Sequence, residues 1–238
     1  MVPPSNSRFG STRHSREDVT DAALAILDEH GLADLTMRRL ASTLDVQASA
    51  LYWHFENKQA LLATLADRIV AVRDGGAGNS TGSTGSAGSA AHPGAATHRA
   101  SDSLGDDWAA LTRAEARSLR DGLLAYRDGA EVVASTLALG LGARAPQERL
   151  AAAIAAGGFD PETSAAAAAV LLHFVLGHVS HEQQRMQADS VGVVARPASG
   201  DAGDSPEEPF GVLSMGDAGA FDFGVTLLLD GLQARARI

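Results

Sequence analysis

The sequence predicts an all-α protein in two helical units, and three observations predict it. Apolar residues recur at three- and four-residue intervals through the ordered stretches. Helix start and stop signals punctuate those stretches, and none of them alternates apolar and polar residues as a half-buried strand does. The expected architecture is a three-helix helix-turn-helix domain at the N-terminus followed by a helical bundle.

Taking the elements in order, Ser15 with Asp18 three residues on forms a capping box, and Val19, Ala23, Ile26 and Leu27 then share one helical face. Gly31 stops that helix. Thr36 is placed to cap a short helix holding Met37, Leu40, Ala41 and Leu44. Asp45-Val46-Gln47 makes a turn before a third helix over about Ala48 to His54. Asn57 caps a fourth, with Leu61, Leu65, Ile69 and Val72 at helical spacing.

Two stretches interrupt the periodicity. Residues 75–103 are a Gly/Ser/Thr/Ala mixture without an aromatic, which cannot bury enough surface to offset its ordering entropy and reads as a flexible linker. Residues near 189–216 carry Pro197, Pro206 and Pro209 among Gly, Ser and acids and read as a long mobile loop. The expected domains are therefore a flexible basic arm over 1–14, a helix-turn-helix domain over 15–74, the linker, and a core over 104–238. Within the core, Trp108, Leu111, Leu119, Leu123 and Leu124 mark one helix, and Val132 to about Leu141 a second. Pro146 opens a third, which Gly157-Gly158 ends. Asp160-Pro161-Glu162 combines a cap, a first-turn proline and an acid at the positive helix end, opening a helix to about Gln187. Ala220 to Ile238 forms the last, with Phe221, Val225, Leu228, Leu229 and Leu232 in register.

Composition narrows the function. Nineteen Lys and Arg against 29 Asp and Glu give a net charge of −10, so no uniform basic coat exists and any contact with nucleic acid must be local. The acid is unevenly spread. Residues 1–73 hold eight basic and nine acidic side chains, a net of −1, whereas residues 74–238 hold eleven and twenty, a net of −9. Zero cysteines exclude disulfides, thiolate metal sites and cysteine nucleophiles. The polar N-terminus lacks the apolar stretch of a signal peptide, and the longest apolar run, Ala165 to Val179, is 15 residues and holds two histidines, against about 20 for a bilayer span. A cytoplasmic protein with no membrane partner is expected. No paired catalytic carboxylates, nucleophile motif or phosphate-cradling loop stands out, so no enzyme and no cofactor are expected.

The informative segment is Leu35 to Lys58. Two short helices joined by a three-residue turn, packed through Leu40, Ala41, Leu44 and Val46, are the parts of a helix-turn-helix whose second helix enters the major groove. Gln47, Ala48, Ser49 and Ala50 begin that helix, where residues meet base edges; glutamine pairs with adenine, and alanine only touches thymine methyls. Arg38 is the candidate for a guanine contact. Thr36, Tyr52, His54 and Lys58, the only lysine, are candidates to clamp phosphates. Trp53 belongs with this set by position, although an aromatic beside another on a helix more commonly packs in a core. Arg8, Arg13, His14 and Arg16 form a basic arm that could follow the DNA backbone or enter the minor groove, or else a tail with scattered arginines.

Gly31 to Ala41 and Leu51 to Leu62 closely resemble the DNA-binding domain of the tetracycline-repressor family, a likeness that covers about Ser15 to Val72. Tyr126-Arg127-Asp128-Gly129-Ala130, Leu172 to Gly177 and Glu182-Gln183-Gln184 look like the core domain of the tetracycline repressors. The resemblance implies a homodimer, an operator with two half-sites, and a small-molecule effector whose binding moves the fourth helix and lowers DNA affinity. One departure lies in the turn, where the family has glycine and this chain has Asp45, a residue type that tolerates left-handed angles. Others lie in the drug site. Val133 stands where the resemblance puts a metal-binding histidine, His181 where it puts a carboxylate, and Glu115, Leu150 and Asp74 where it puts drug-contacting Asn, Gln and His. The effector is therefore not expected to be magnesium–tetracycline.

For the pocket itself, Leu119, Thr136, Leu137, His173, Phe174 and Leu176 are candidates, mostly apolar with a few polar groups. Glu115, Val133 and His181 join them through the resemblance. His178 and His181, three apart with Glu182 adjacent, have a spacing that can bind zinc, but such pairs more commonly line pockets or dimer seams, and no metal is expected. The expected function is a ligand-responsive DNA-binding repressor. The alternatives are a DNA-binding regulator whose core only dimerises or meets a protein partner, and a helical-bundle sequestering protein or enzyme.

Overall fold

A computed structural model describes residues 14–71, 97–190 and 217–235, with side chains described from residue 107 onward in the second stretch. The arm apart from His14, most of the expected linker and most of the 189–216 loop lie outside the described residues. Every regular element among the described residues is a helix: α1 (Arg16–His30), α2 (Met37–Thr43), α3 (Ala48–Leu51), α4 (Lys58–Val70), α5 (Thr97–Leu124), α6 (Gly129–Ala138), α7 (Ala145–Ala155), α8 (Pro161–Ser190) and α9 (Asp217–Arg235).

The starts follow local chemistry. Ser15 caps α1 through Asp18 N–H, with the reciprocal bond that completes the capping box. Thr36 caps α2 and Asn57 caps α4 through the amides three residues on, and Asp160 Oδ1 accepts from the amides of Glu162 and Thr163 at the head of α8. Hydrogen bonds from Ser15 and from Thr163 hold the Asp18 and Asp160 carboxyls below the ordinary aspartate value.

Some boundaries differ from expectation. Helix α5 begins at Thr97, inside the stretch expected as linker, because extending an existing helix by residues such as Arg99 and Ala100 needs no new nucleus. Helix α8 runs through Ser190 and so takes the first two residues of the expected loop. Helix α3 is only four residues long; after it Trp53 and His54 bond back three residues, to Ala50 and Leu51, and the chain continues as turns.

Helix α8 is the axis of the core. It packs against α5, α6, α7 and α9, burying Ala168, Leu171, Leu172, Val175, Leu176 and Val179. By length and composition alone it could cross a membrane, a test that a buried core helix such as this one also passes. Helix α9 lies so close that a Cβ on Gly224 would collide with the Phe174 ring. Phe174 stacks on Phe221, with ring centroids 5.8 Å apart. Leu111, expected among the core-facing residues of α5, is exposed.

Helix α4 joins the two units. Arg68 pairs with Asp21 at 3.1 Å and Glu17 at 3.4 Å on α1, while the other side of the helix meets α5, α6 and α7. Among the described residues, four side-chain bonds to backbone cross between the units. Asp128 accepts from Leu32 N–H at 2.8 Å, Arg127 donates to the Glu29 carbonyl at 3.4 Å, Asp67 accepts from Ala143 N–H at 2.7 Å, and Arg149 donates to the Val70 carbonyl at 3.2 Å. Gly31 is required here twice over: its φ is 83°, and a Cβ would lie 2.7 Å from Asp128 Oδ2.

Candidate nucleic-acid interface and core pocket

The turn between α2 and α3 is a Schellman motif. Val46 N–H bonds to the Ala41 carbonyl and Asp45 N–H to the Ser42 carbonyl, with Asp45 at φ 52°, the left-handed position glycine usually fills. The departure seen in the sequence is thus accommodated. Buried Leu40, Ala41, Leu51 and Phe55 hold α2 and α3 together against α1 and α4. His14 donates from Nε2 to the Leu44 carbonyl at 3.0 Å, tying the last arm residue to this turn. Arg16 lies 4.5 Å above the Phe55 ring and donates to Thr64 Oγ1, fixing the start of α1 beside α4.

Helix α3 buries only Leu51, and the candidate DNA-contacting residues lie outward. Gln47, Ala48 and Ser49 are exposed and Ala50 is half-buried. Tyr52 is 51 % exposed and Trp53 90 %, so Trp53 makes no core and the packing alternative for it is corrected. Phe55, two residues on, fills the core in its place. Arg38 is exposed and among the described residues makes no ion pair, whereas its neighbour Arg39 is bound to Asp34 at 2.6 Å. The Thr36 hydroxyl accepts from Arg39 N–H as a cap, and it remains exposed. His54 and Lys58 are half-buried at the foot of α3 and the head of α4.

The core candidates do not converge so clearly. Leu119, Val133, Thr136 and Leu176 are buried in helix packing, and the Thr136 hydroxyl is spent on the Val132 carbonyl. Phe174 is half-buried against Phe221. His173 and His181 are exposed on α8, away from those buried residues, because the buried stripe of α8 runs through Leu172, Val175, Leu176 and Val179. Leu137 borders an open groove of about 460 Å³ between the α6–α7 loop, α7 and the head of α8. Glu115 is bound to Arg149 at 2.9 Å rather than free for a ligand. The possible zinc set is dispersed as well: His178 Nε2 meets the Asp217 carbonyl at 3.2 Å, and Glu182 takes both arms of Arg120, at 2.6 and 3.1 Å. Among the described residues no three metal-capable side chains are grouped to hold an ion.

Three residues that sequence reasoning passed over organise the junction. The buried Gln183 amide donates to the Leu123 and Tyr126 carbonyls and accepts from Ala130 N–H, bracing the α5–α6 loop. Asp128, at φ 56°, faces Leu32 on one side and Gln187 of α8 on the other. Arg149 bridges Glu115 and Val70. Asp128 and Gln183 lie within the stretches that carry the family likeness, and no local pattern announces the pairings of any of the three.

A short, largely exposed helix with polar side chains on it and exposed Tyr52 and Trp53 just beyond it, followed by a helical core, is the arrangement of a helix-turn-helix DNA-binding protein. A family model described as bacterial regulatory proteins, tetR family, matches residues 19–65, and one described as tetracyclin repressor-like, C-terminal domain, matches residues 102–236. The chain therefore belongs to the tetracycline-repressor family, as a ligand-responsive DNA-binding transcriptional repressor. It is 34 % identical to the class A tetracycline repressor protein from transposon 1721 of Escherichia coli, over 94 % of this chain and 93 % of that one. The crystal structure of Mycobacterium smegmatis BioQ is similar at a TM-score of 0.66 and 35 % identity, covering 93 % of this chain and 98 % of the other. BioQ with its natural double-stranded DNA operator is similar at a TM-score of 0.62 and 34 % identity, covering 92 % and 98 %.

Proposed function

We propose that this repressor binds a two-half-site operator as a homodimer and is released by a small-molecule effector other than magnesium–tetracycline. The observation that carries the DNA reading is the outward row of Arg38, Gln47, Ser49, Tyr52 and Trp53 around a helix that buries only Leu51. In this reading Arg38, Gln47 and Ser49 meet base edges, and Ala48 and Ala50 meet thymine methyls. Thr36, Tyr52, Trp53, His54 and Lys58 hold the phosphate backbone. The reading head spans residues 15–74 and the core residues 104–238.

Support for the homodimer comes from the unpartnered outer face of α8 and α9. Val170, Phe223 and Leu227 are each more than half exposed there, and Gly177 and Gly231 have open space where a Cβ would stand, so a second helix pair can approach closely. His173 and His181 lie on the exposed side of α8, which makes them seam residues in this reading. In this reading the effector site lies at the groove that Leu137 borders, while Leu119, Val133, Thr136, Phe174 and Leu176 belong to the helix packing of the core and Glu115 is held by Arg149. The protein acts on DNA in the cytoplasm and catalyses no reaction.

Fluorescence anisotropy tests the reading on duplexes tiling the DNA that flanks the protein's own gene, against random competitor, across a salt series. The expected result is competitor-resistant nanomolar binding with a steep salt slope. Binding no tighter than to random duplex would overturn it. Within that assay Arg38→Ala should weaken operator binding by about 1–3 kcal/mol and relax one base position, whereas Lys58→Ala should weaken all duplexes alike and flatten the salt slope.

A further inference from the structure

Helix α4 ends in a socket made by three core elements. Gly122 of α5 is so close that a Cβ there would lie 2.9 Å from the Ile69 carbonyl. Ala143, in the α6–α7 loop, gives its amide to Asp67 at 2.7 Å. Arg149 of α7 gives Nη2 to the Val70 carbonyl at 3.2 Å. The carbonyls of a helix's last turn have no partner inside the helix and carry its negative end, so a guanidinium there both satisfies and attracts them. Arg149 does not stand alone. Its Nε donates to Glu115 of α5 at 2.9 Å, which fixes the plane of the guanidinium while its other arm reaches α4.

We propose that Arg149, aimed by Glu115, is the positioning residue that sets where α4 leaves the core and hence where the DNA-reading head stands. Helix α4 has 13 residues, about 20 Å of rigid rod, with Lys58 at one end and Val70 at the other. Through Arg68 it is clamped to α1, so the reading head moves with it. A small tilt at Val70 therefore becomes a displacement of α3, and two heads must match two half-sites at once. Only this last consequence rests on the repressor reading; the positional claim does not.

The test uses the full chain and its lack of cysteine. Cysteines placed at the exposed positions Gln59 on α4 and Ala152 on α7 take one spin label each, and dilution with unlabelled protein isolates the distance within one chain. Arg149→Ala and Glu115→Ala should displace or broaden the distance distribution. Glu115→Gln, which keeps an acceptor for Nε, should retain it. Ile154→Val trims a buried side chain on the same helix and serves as the control for lost stability alone. An unchanged distribution in Arg149→Ala overturns the proposal, as does equal broadening in Ile154→Val. In the anisotropy assay Arg149→Ala should lose about tenfold in operator affinity. Wild-type protein that prefers no duplex would sink the repressor reading while leaving the distance result to decide this one.

Discussion

Asp128 tests the joint between the two units with numbers. Its carboxylate accepts from Leu32 N–H at 2.8 Å and from Gln187 Nε2 at 2.6 Å, and its backbone is left-handed at φ 56°. Asp128→Ala removes both acceptors and sets alanine where its Cβ is less well tolerated. A hydrogen bond to a charged group contributes about 1.5–3 kcal/mol. Because the site is half-buried, the lower figure applies, giving about 3 kcal/mol for the pair. The backbone adds about 1 kcal/mol for alanine. Asp128→Gly loses the same bonds without that steric cost, although its freedom in the unfolded chain offsets part of the gain. Asp128→Asn keeps the backbone preference and one acceptor, and should lose about half as much as alanine. In a chain of this size each 1 kcal/mol moves Tm by about 2–4 °C, so Asp128→Ala should melt roughly 8–16 °C below wild type. Circular dichroism melts of the three variants, in one buffer, measure the order asparagine, glycine, alanine from most to least stable. An alanine variant within about 2 °C of wild type, or an asparagine variant no better than alanine, would refute the reading of Asp128 as a tie between Leu32 and α8.

Two further outcomes follow from the surface. Trp53→Ala should leave Tm unchanged, since an exposed substitution costs within about 0.5 kcal/mol, yet weaken operator binding by about 1–2 kcal/mol; a drop in Tm would mean the indole packs after all. Arg117 holds the Asp222 carboxyl below the ordinary aspartate value, chiefly through its hydrogen bond at 2.8 Å. A depressed carboxyl stabilises above its unfolded pKa and loses that contribution as pH falls through the folded one. Denaturant melts should therefore separate wild type from Asp222→Asn by no more than about 1 kcal/mol, constant down to about pH 4 and vanishing below it. A gap that widens on acidification would contradict the pairing.

Much of the fold was legible because its signals are local. The capping box of Ser15 and Asp18, the caps at Thr36, Asn57 and Asp160, and the stop at Gly31 all act within one helical turn, and all stand where the sequence places them. Helix lengths were less legible. Helix α3 stops early where its bonds shift to three-residue spacing, and α5 starts early because a helix extends more cheaply than it begins. The candidate DNA-contacting residues could be named from the sequence, but their exposure could not. Tyr52, Trp53 and Phe55 are alike in composition, and only packing leaves Trp53 out and takes Phe55 in.

The core candidates divide in the same way. Periodicity marks Leu119 as inward, but it does not distinguish a residue that lines a pocket from one that fills the core, as Leu119, Val133 and Leu176 do. Glu115 joined the ligand set through the family resemblance, and its pairing with Arg149, 34 residues away on another helix, is not announced by its neighbours in sequence. By itself, the sequence determined the all-helical class, the caps, the left-handed turn at Asp45 and the family, because each depends on neighbours within a few residues or on a contiguous pattern. The tertiary structure alone decided which faces stay wet and which distant groups meet, such as Asp128 with Leu32 across 96 residues and Asp67 with Ala143 across 76. Those contacts arise only when amphipathic helices settle their common core, and that packing is a property of all the faces together.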